Sequence, residues 1–347
     1  MMAGGGLAAG MDFKHIILAT LGGNIFLSII AVLISIIACK RGLTFALLTR
    51  YSFGSTGSKA ASIFVPVVNL GWYTIQAATY GHFVAQVFHM GQVGEGICMA
   101  VSAIVMGIFA MCGIGAITIL GYIAIPAIVF LSIATAIRSL GVIGGMEALF
   151  AYVPSSDMPL FTGITAVIGT WVLSTATCIA DIMRYAKDTN AAVSATLTGL
   201  LGGNILMIVC GAIAAIAMQN SDLTVILLGF GLVIPSLILM TTNIFTTNAA
   251  NLYSTSLNLS NAFKMERKKM LAILLVLSAL ATLTKPYEIG FLFTFLNILG
   301  TVVPPLSGII LSDYFLVHKG HYAAYDKASF CKWNPVPWIT WAISIAL

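Results

Sequence analysis

Charge is what this 347-residue chain has least of: 8% of its residues are Asp, Glu, Lys or Arg, against 59% hydrophobic. Soluble domains carry about 25% charged residues, so a soluble fold is excluded. The formal net charge of +5 is scattered among loops rather than gathered on one face, which argues against nucleic acid as a partner. None of the six cysteines (Cys39, Cys98, Cys112, Cys178, Cys210, Cys331) forms a CxxC pair, and most fall inside apolar runs. They read as small packed residues rather than disulfides or metal ligands. No HExxH, GxSxG, phosphate loop or pair of in-membrane carboxylates is found, so a membrane-embedded hydrolase has little support. The opening MMAGGGLAAGM has no basic leader and is too short to span a bilayer.

Two absences are local. Ala60–Gly81 and Leu223–Ala262 contain no Asp, Glu, Lys, Arg or His. A proton-coupled carrier normally keeps a titratable group in its pathway, and a carrier of charged solutes often needs a countercharge. The solute expected here is neutral, flat and rich in amide-like groups, and the coupling ion a hard monovalent cation such as sodium.

What the chain does have is apolar length. A span needs about 20 mostly apolar residues. On that rule helices are predicted near His15–Ala38, Ala60–Phe88, Gly96–Cys112, Ile114–Ile137, Leu160–Ile182, Ala192–Met218, Leu223–Asn248, Met270–Leu283, Ile289–Asp313 and Pro337–Leu347. They form one transmembrane domain over residues 1–347. Placing the loop Lys40–Lys59 in the cytoplasm puts 13 of the 16 Lys and Arg residues on that side, as the positive-inside rule requires. Parity then makes Met1–Gly10 the outer half of a first helix whose inner half is missing, and the last one or two helices are expected to be missing too. The Lys40–Lys59 loop is partly amphipathic, with Leu43, Phe45, Leu47, Leu48 and Phe53 toward lipid or bundle. Ser139–Pro159 is the longest outer connection, with room for a short interfacial helix and a turn at Pro154–Asp157.

Four polar or glycine-bearing segments stand at matched positions of a five-plus-five arrangement. Gly4–Gly6 and Gly169 mark helices one and six, where inverted-repeat transporters break their helices to expose backbone to substrate and ion. Helices three and eight carry Asn69–Gln76 and Asn243–Asn251. Asn69, Trp72 and Gln76 are spaced i, i+3, i+7 and share a face. In Thr241–Ser254, Thr241, Thr242, Asn243, Thr246, Thr247, Asn248 and Asn251 crowd into fourteen positions without one charge. Thr and Asn also bond helices together in membranes, but this density favours a binding site. Trp171, beside Thr170, could join Trp72 in sandwiching a flat ring, although either Trp alone is readily a packing residue. Asp181 and Arg184 could pair at i, i+3. His82 reads as a satisfied interfacial histidine, and Cys178 and Cys210 as packing.

RYSFGSTGS (Arg50–Ser58), NLGWYTIQ (Asn69–Gln76), GTW…ADIMRYAK (Gly169–Lys187), TTNIFTTNAANLYS (Thr241–Ser254) and PPLSGIILSDYF (Pro304–Phe315) together resemble the nucleobase–cation symporter-1 family, in its cytosine permease branch. The resemblance runs over nearly the whole chain. It implies an all-α, LeuT-type fold of ten core helices plus two peripheral ones, with discontinuous helices one and six. It also implies sodium-coupled uptake of a nucleobase by alternating access, in a multi-pass protein of the cell membrane. Carried over residue by residue, Trp72 matches the aromatic that stacks on substrate, and Trp171, beside Thr170, the aromatic of helix six. The helix-three amide falls on Asn69, where similar cytosine permeases carry Gln, or on Gln76, where hydantoin-type relatives carry one. The helix-eight asparagines match Asn243 and Asn248, with Asn251 a further candidate, and the sodium-binding hydroxyls match Thr246 and Thr247. The expected substrate is cytosine. A purine, hydantoin, allantoin or vitamin ring, a passive channel, and an inactive truncated remnant stay open as alternatives. A monomer is compatible with this reading, and no resident cofactor is expected beyond the coupling ion.

Overall fold

In the structure, a computed structural model of the chain, residues 1–111, 114–220, 223–229, 231 and 233–346 are described, and no strand is found among them. The predicted helix ends at Cys112 and Leu347 lie outside the described residues. α1 (Met2–Gly10) is followed by α2 (Phe13–Arg41), and both ends of α2 are set by local chemistry. Asp12 accepts the His15 N–H at 2.8 Å, and Gly42, at φ +67°, closes the last turn by donating to the Ala38 carbonyl.

The predicted amphipathic loop and third helix are one element, α3 (Phe45–Val87), bent where Gly54 takes φ +80°. A Cβ at Gly54 would stand 2.7 Å from the Cys331 carbonyl oxygen, so a side chain is barred by both backbone and space. Leu43, Phe45, Leu48 and Phe53 before the bend are buried, so this stretch faces the bundle rather than lipid. Residues 331–334 strap across the bend: Ser55 N–H donates to the Cys331 carbonyl, Thr56 N–H to that of Lys332, and Asn334 Nδ2 to that of Ser52, each at 2.9 Å. Tyr51 stacks on Tyr322 at 3.9 Å, and Tyr322 donates to Asp313 Oδ2 at 2.6 Å. Burial, reinforced by that carboxylate, pushes the Tyr322 phenol well above its usual pKa.

α4 (Gln92–Met111), α5 (Ile114–Ile143) and the short outer helix α6 (Met146–Phe150) come next. The interruption expected in helix six is a π-helical turn, Ser174–Cys178, set between α7 (Leu160–Leu173) and α8 (Ile179–Met183). A second π turn, Thr198–Asn204, divides α9 (Thr189–Leu197) from α10 (Ile205–Met218). The helix predicted over Leu223–Asn248 is corrected: α11 (Leu223–Gly229) stops before Gly231, which has φ +67°, and α12 runs on from Val233 to Phe263. The crowded Thr241–Ser254 stretch is therefore mid-helix. α13 (Arg267–Thr282), α14 (Ile289–Val302), α15 (Pro304–Ser312) with a terminal π turn, and α16 (Pro335–Ala346) complete the chain. Among the described residues six helices are long and apolar enough to cross a membrane. α3 and α12, which carry the polar faces, are not among the six.

Two sets of helices pack mostly within themselves. One comprises α1, α2, α7–α8 and α9–α10; the other comprises α3, α4, α12 and α13. α5 touches both through α10 and α12, and α14 lies along α7. The glycines expected to expose backbone instead permit close packing. A Cβ at Gly4 or Gly169 would stand 2.0 Å from the carbonyl oxygen of Ile208 or Leu296, respectively. In lipid, where helices gain little from apolar burial against each other, such backbone approach is a main source of cohesion. Gly169→Ala is accordingly expected to cost upward of about 1–3 kcal/mol by overpacking. Gly121→Ala, where nothing lies within 4 Å, should cost nothing. Thermal unfolding in detergent reads the difference, and equal melting of the two variants would contradict the close α7–α14 contact.

Candidate functional site

The face of α3 that carries Asn69, Trp72 and Gln76 has buried acceptors without donors. Asn69 is 1% exposed; its Nδ2 donates to Cys178 Sγ at 3.0 Å, while Oδ1 has no partner. Gln76 Oε1 is likewise buried and unpaired. Trp72 stands edge-on to Phe295 of α14, with ring centroids 5.4 Å apart. A lone buried acceptor costs about 1–3 kcal/mol, and two on one helix face are a standing demand for N–H donors.

Helix six contributes less to that face than its sequence suggests. The Thr170 hydroxyl donates to the Val167 carbonyl at 2.6 Å and accepts from Asn204 Nδ2 at 3.4 Å. Asn204 also donates to Asn24 Oδ1 at 2.7 Å, and Asn24 to the Thr20 carbonyl at 2.8 Å. Thr170 is thus tied to α2 and the second π turn, not to α3. Trp171 is 39% exposed, and among the described residues it makes no ring contact with Trp72. Rings that hold a flat solute between them do not themselves touch.

On α12 the hydroxyl hydrogens of Thr246 and Thr247 point back into the helix. Thr246 donates to the Thr242 and Asn243 carbonyls at 2.8 and 2.9 Å, and Thr247 to that of Asn243 at 3.0 Å. Their lone pairs are left facing away from the helix backbone. Asn248 is fully buried, and its Nδ2 joins α12 to the Tyr73 carbonyl of α3 and Met106 Sδ of α4. Its Oδ1 is unpaired, and Asn251 is 8% exposed.

Below Asn69 lies a polar network that sequence reasoning missed. Asp181, 5% exposed, takes the Phe45 backbone N–H on Oδ1 at 3.0 Å. On Oδ2 it takes the Ser254 hydroxyl at 2.9 Å and Asn258 Nδ2 at 3.4 Å. Ser254 Oγ and Cys178 Sγ are 3.5 Å apart. The expected Asp181–Arg184 side-chain pair is therefore corrected: Arg184 Nε donates to the Asp181 backbone carbonyl at 3.3 Å, and its guanidinium lies over the Tyr185 ring. The carboxylate is sunk among buried donors, whereas the arginine reaches the surface. Cys178 is likewise more than packing, because its sulfur bridges α3 and α12. The usable signals were Cys178/Asp181 at i, i+3 and Ser254/Asn258 at i, i+4, each pair sharing a helix face. His82 is satisfied, as the sequence suggests: Nδ1 lies 2.9 Å from Glu95 Oε1, and its ring stacks on Tyr287 at 4.3 Å.

Two open cavities lie elsewhere. One of about 290 Å³ is lined by Gly5, Ala8, Tyr152 and Gln219, and one of about 260 Å³ by Val67, Gly71, Thr74 and Phe295. Neither is lined by Asn69, Gln76 or residues of α12; the second lies along the neighbouring face of α3 and shares Phe295 with Trp72.

Two helix sets that meet at a polar face, among helices apolar enough to span a bilayer, define a multi-pass membrane protein. The relatives of this chain are permeases rather than enzymes. Residues 1–347 match the family described as permease for cytosine/purines, uracil, thiamine, allantoin. The chain is 30% identical over 346 residues to the cytosine permease of Escherichia coli K12, covering all of this chain and 81% of that protein. It is 24% identical over 375 residues to the hydantoin permease of Microbacterium maritypicum, covering 99% and 75%. Its fold matches the closed conformation of Mhp1, a nucleobase-cation-symport-1 family transporter with bromovinylhydantoin bound. That match has a TM-score of 0.84 at 20% identity and covers 99% of this chain and 82% of that one. The fold of MhsT in complex with L-phenylalanine matches at a TM-score of 0.68 and 17% identity, covering 99% and 90%. The chain belongs to the nucleobase–cation symporter-1 family, with the LeuT-type fold and a place in the inner membrane.

The Asn24–Asn204 bond makes a separate claim about stability. Asn204→Leu strips the donor from a buried acceptor and should cost about 1–3 kcal/mol. Adding Asn24→Leu should restore part of it, because neither partner is then left unsatisfied. Strictly additive melting losses in this cycle would contradict the bond.

Proposed function

We propose that this permease is a sodium-coupled symporter that imports a neutral nucleobase, cytosine, by alternating access. The observation that carries the reading is the pair of buried, donorless oxygens, Asn69 Oδ1 and Gln76 Oε1, on the same α3 face as the Trp72 ring. A ring with an exocyclic amine and ring N–H groups supplies donors to both oxygens while its face rests on the indole. In the loaded state Trp171 closes the other face of that ring, and Asn243 reaches its edge from α12. Thr170, Asn248 and Asn251 hold these elements from behind. The cytosine permease of E. coli, at 30% identity, supports the choice of ring.

For the coupling ion, Thr246 and Thr247 offer oxygen lone pairs whose hydrogens are already committed to the Thr242 and Asn243 carbonyls. Oxygens oriented in this way suit a hard monovalent cation. The charge-free stretches Ala60–Gly81 and Leu223–Ala262 provide no seat for a proton. Sodium and nucleobase then bind reciprocally, each raising the other's affinity by the same factor.

In proteoliposomes, cytosine affinity is expected to rise with sodium at fixed pH, and Thr247→Ala should flatten that rise. Uptake that follows the pH gradient and ignores sodium would overturn the coupling. Trp72→Ala should weaken cytosine binding about tenfold to a hundredfold, from roughly 1–3 kcal/mol of lost stacking. Unchanged binding of cytosine to that variant would place the site elsewhere.

A further inference from the structure

Asn69 can meet a solute with either end of its amide, and the two ends select opposite chemistry. Its Oδ1 accepts and suits a ring amine, whereas its Nδ2 donates and suits a ring carbonyl. Nothing on α3 itself decides between them. The decision comes through the network below. Asp181 Oδ1 receives the Phe45 backbone N–H, a group that can only donate, and Oδ2 receives Ser254 and Asn258. Each of these partners brings the carboxyl group a hydrogen, so both oxygens stand as acceptors. Ser254 has one hydroxyl hydrogen, and the 2.9 Å contact spends it on Oδ2. That leaves the hydroxyl no hydrogen for Cys178 Sγ, which lies 3.5 Å from Ser254 Oγ, so the thiol is the group free to donate across that contact. With its hydrogen turned toward Ser254, the sulfur is an acceptor on its other side, where Asn69 Nδ2 stands at 3.0 Å.

We infer that Asp181, acting through Ser254 and Cys178, is a positioning residue that sets the selectivity of the permease for amino over keto rings. The relay Asn69 N–H to Cys178, Cys178 S–H to Ser254, Ser254 O–H to Asp181 runs one way only. It leaves Asn69 Oδ1, buried and unpaired, as the face offered to the solute. A 4-amino pyrimidine such as cytosine donates to that oxygen. Uracil puts its own carbonyl oxygen there and leaves both acceptors unsatisfied. This inference rests on the proposed nucleobase site, and it assigns the discrimination to a carboxylate three hydrogen bonds away from Asn69.

Asp181→Asn is the discriminating change. The Phe45 N–H keeps the amide oxygen at the Oδ1 position, so the amide nitrogen falls at Oδ2 and donates to Ser254, while Asn258 Nδ2 gives up its 3.4 Å contact there and keeps the Ser254 carbonyl at 2.9 Å. The hydroxyl then donates to Cys178, the thiol to Asn69 Oδ1, and Asn69 turns Nδ2 toward the solute. In proteoliposomes taking up labelled cytosine, the uracil-to-cytosine ratio of inhibition constants should fall about tenfold or more relative to the parent, as expected for one buried hydrogen bond exchanged for another. Cys178→Ala cuts the relay with a small loss of volume and should also lower the ratio, whereas Cys178→Ser keeps donor and acceptor and should retain it. Difference infrared spectra of the Cys178 S–H band, isolated against Cys178→Ala, test the relay without transport. The band should shift in Asp181→Asn as the thiol changes acceptor from Ser254 to Asn69. An unmoved band, or a parental ratio in both Asp181→Asn and Cys178→Ala, overturns the inference. A parent that takes up no cytosine overturns the proposed function instead, and the infrared shift still decides the relay.

Discussion

The Asp181 carboxylate takes the first backbone N–H of α3 on one oxygen and two side chains of α12 on the other. It thereby holds helix six, helix eight and the bent entrance of helix three at a single buried point. Burial keeps bulk water from the carboxylate, so those donors are a condition of its being there. The same condition acts back on its neighbours: Ser254, Cys178 and Asn69 each take the hydrogen-bonding direction that the acid leaves them. An interior acid of this kind does not stabilise by its charge so much as by ordering what surrounds it.

Elsewhere the fold meets the constraint in two ways. Within each helix set, threonine and serine hydroxyls return to carbonyls one turn back, as Thr246, Thr247 and Thr74 do, and glycines let backbones meet. Amides add longer bonds: Asn204 with Asn24 inside the first set, and Asn69 with Cys178 between the sets. Where neither device reaches, as at Asn69 Oδ1 and Gln76 Oε1, the interior is left short of donors. A carrier gains from such a place, because a solute that brings the donors is held only while it is there.

Much of this was readable along the chain. Apolar runs of spanning length mark the helices, because lipid admits only segments that satisfy their own backbone. The i, i+3, i+7 spacing places Asn69, Trp72 and Gln76 on one face, because a helix repeats every 3.6 residues. Family membership was legible in several motifs in order. Where the reading stayed open or failed, a distant segment had intervened. Leu43–Phe53 reads equally well as lipid-facing, and only the docking of residues 331–334 and the bend at Gly54 turn it to the bundle. Gly4 and Gly169 look like helix breakers until Ile208 and Leu296 are seen against them.

The sequence by itself determined that this protein lives in a membrane, where most of its apolar spans fall and which faces are polar, since composition and periodicity are local properties. Tertiary structure alone decided what those polar groups do. Phe45, Asn69, Cys178, Asp181 and Ser254 meet across 73 to 136 residues of chain. Neither the depth of Asp181 nor the direction of the Asn69 amide exists until helix six, α12 and both parts of α3 are packed together. A hydrogen bond has a polarity that its partners impose, and spacing along one helix says nothing about partners on another.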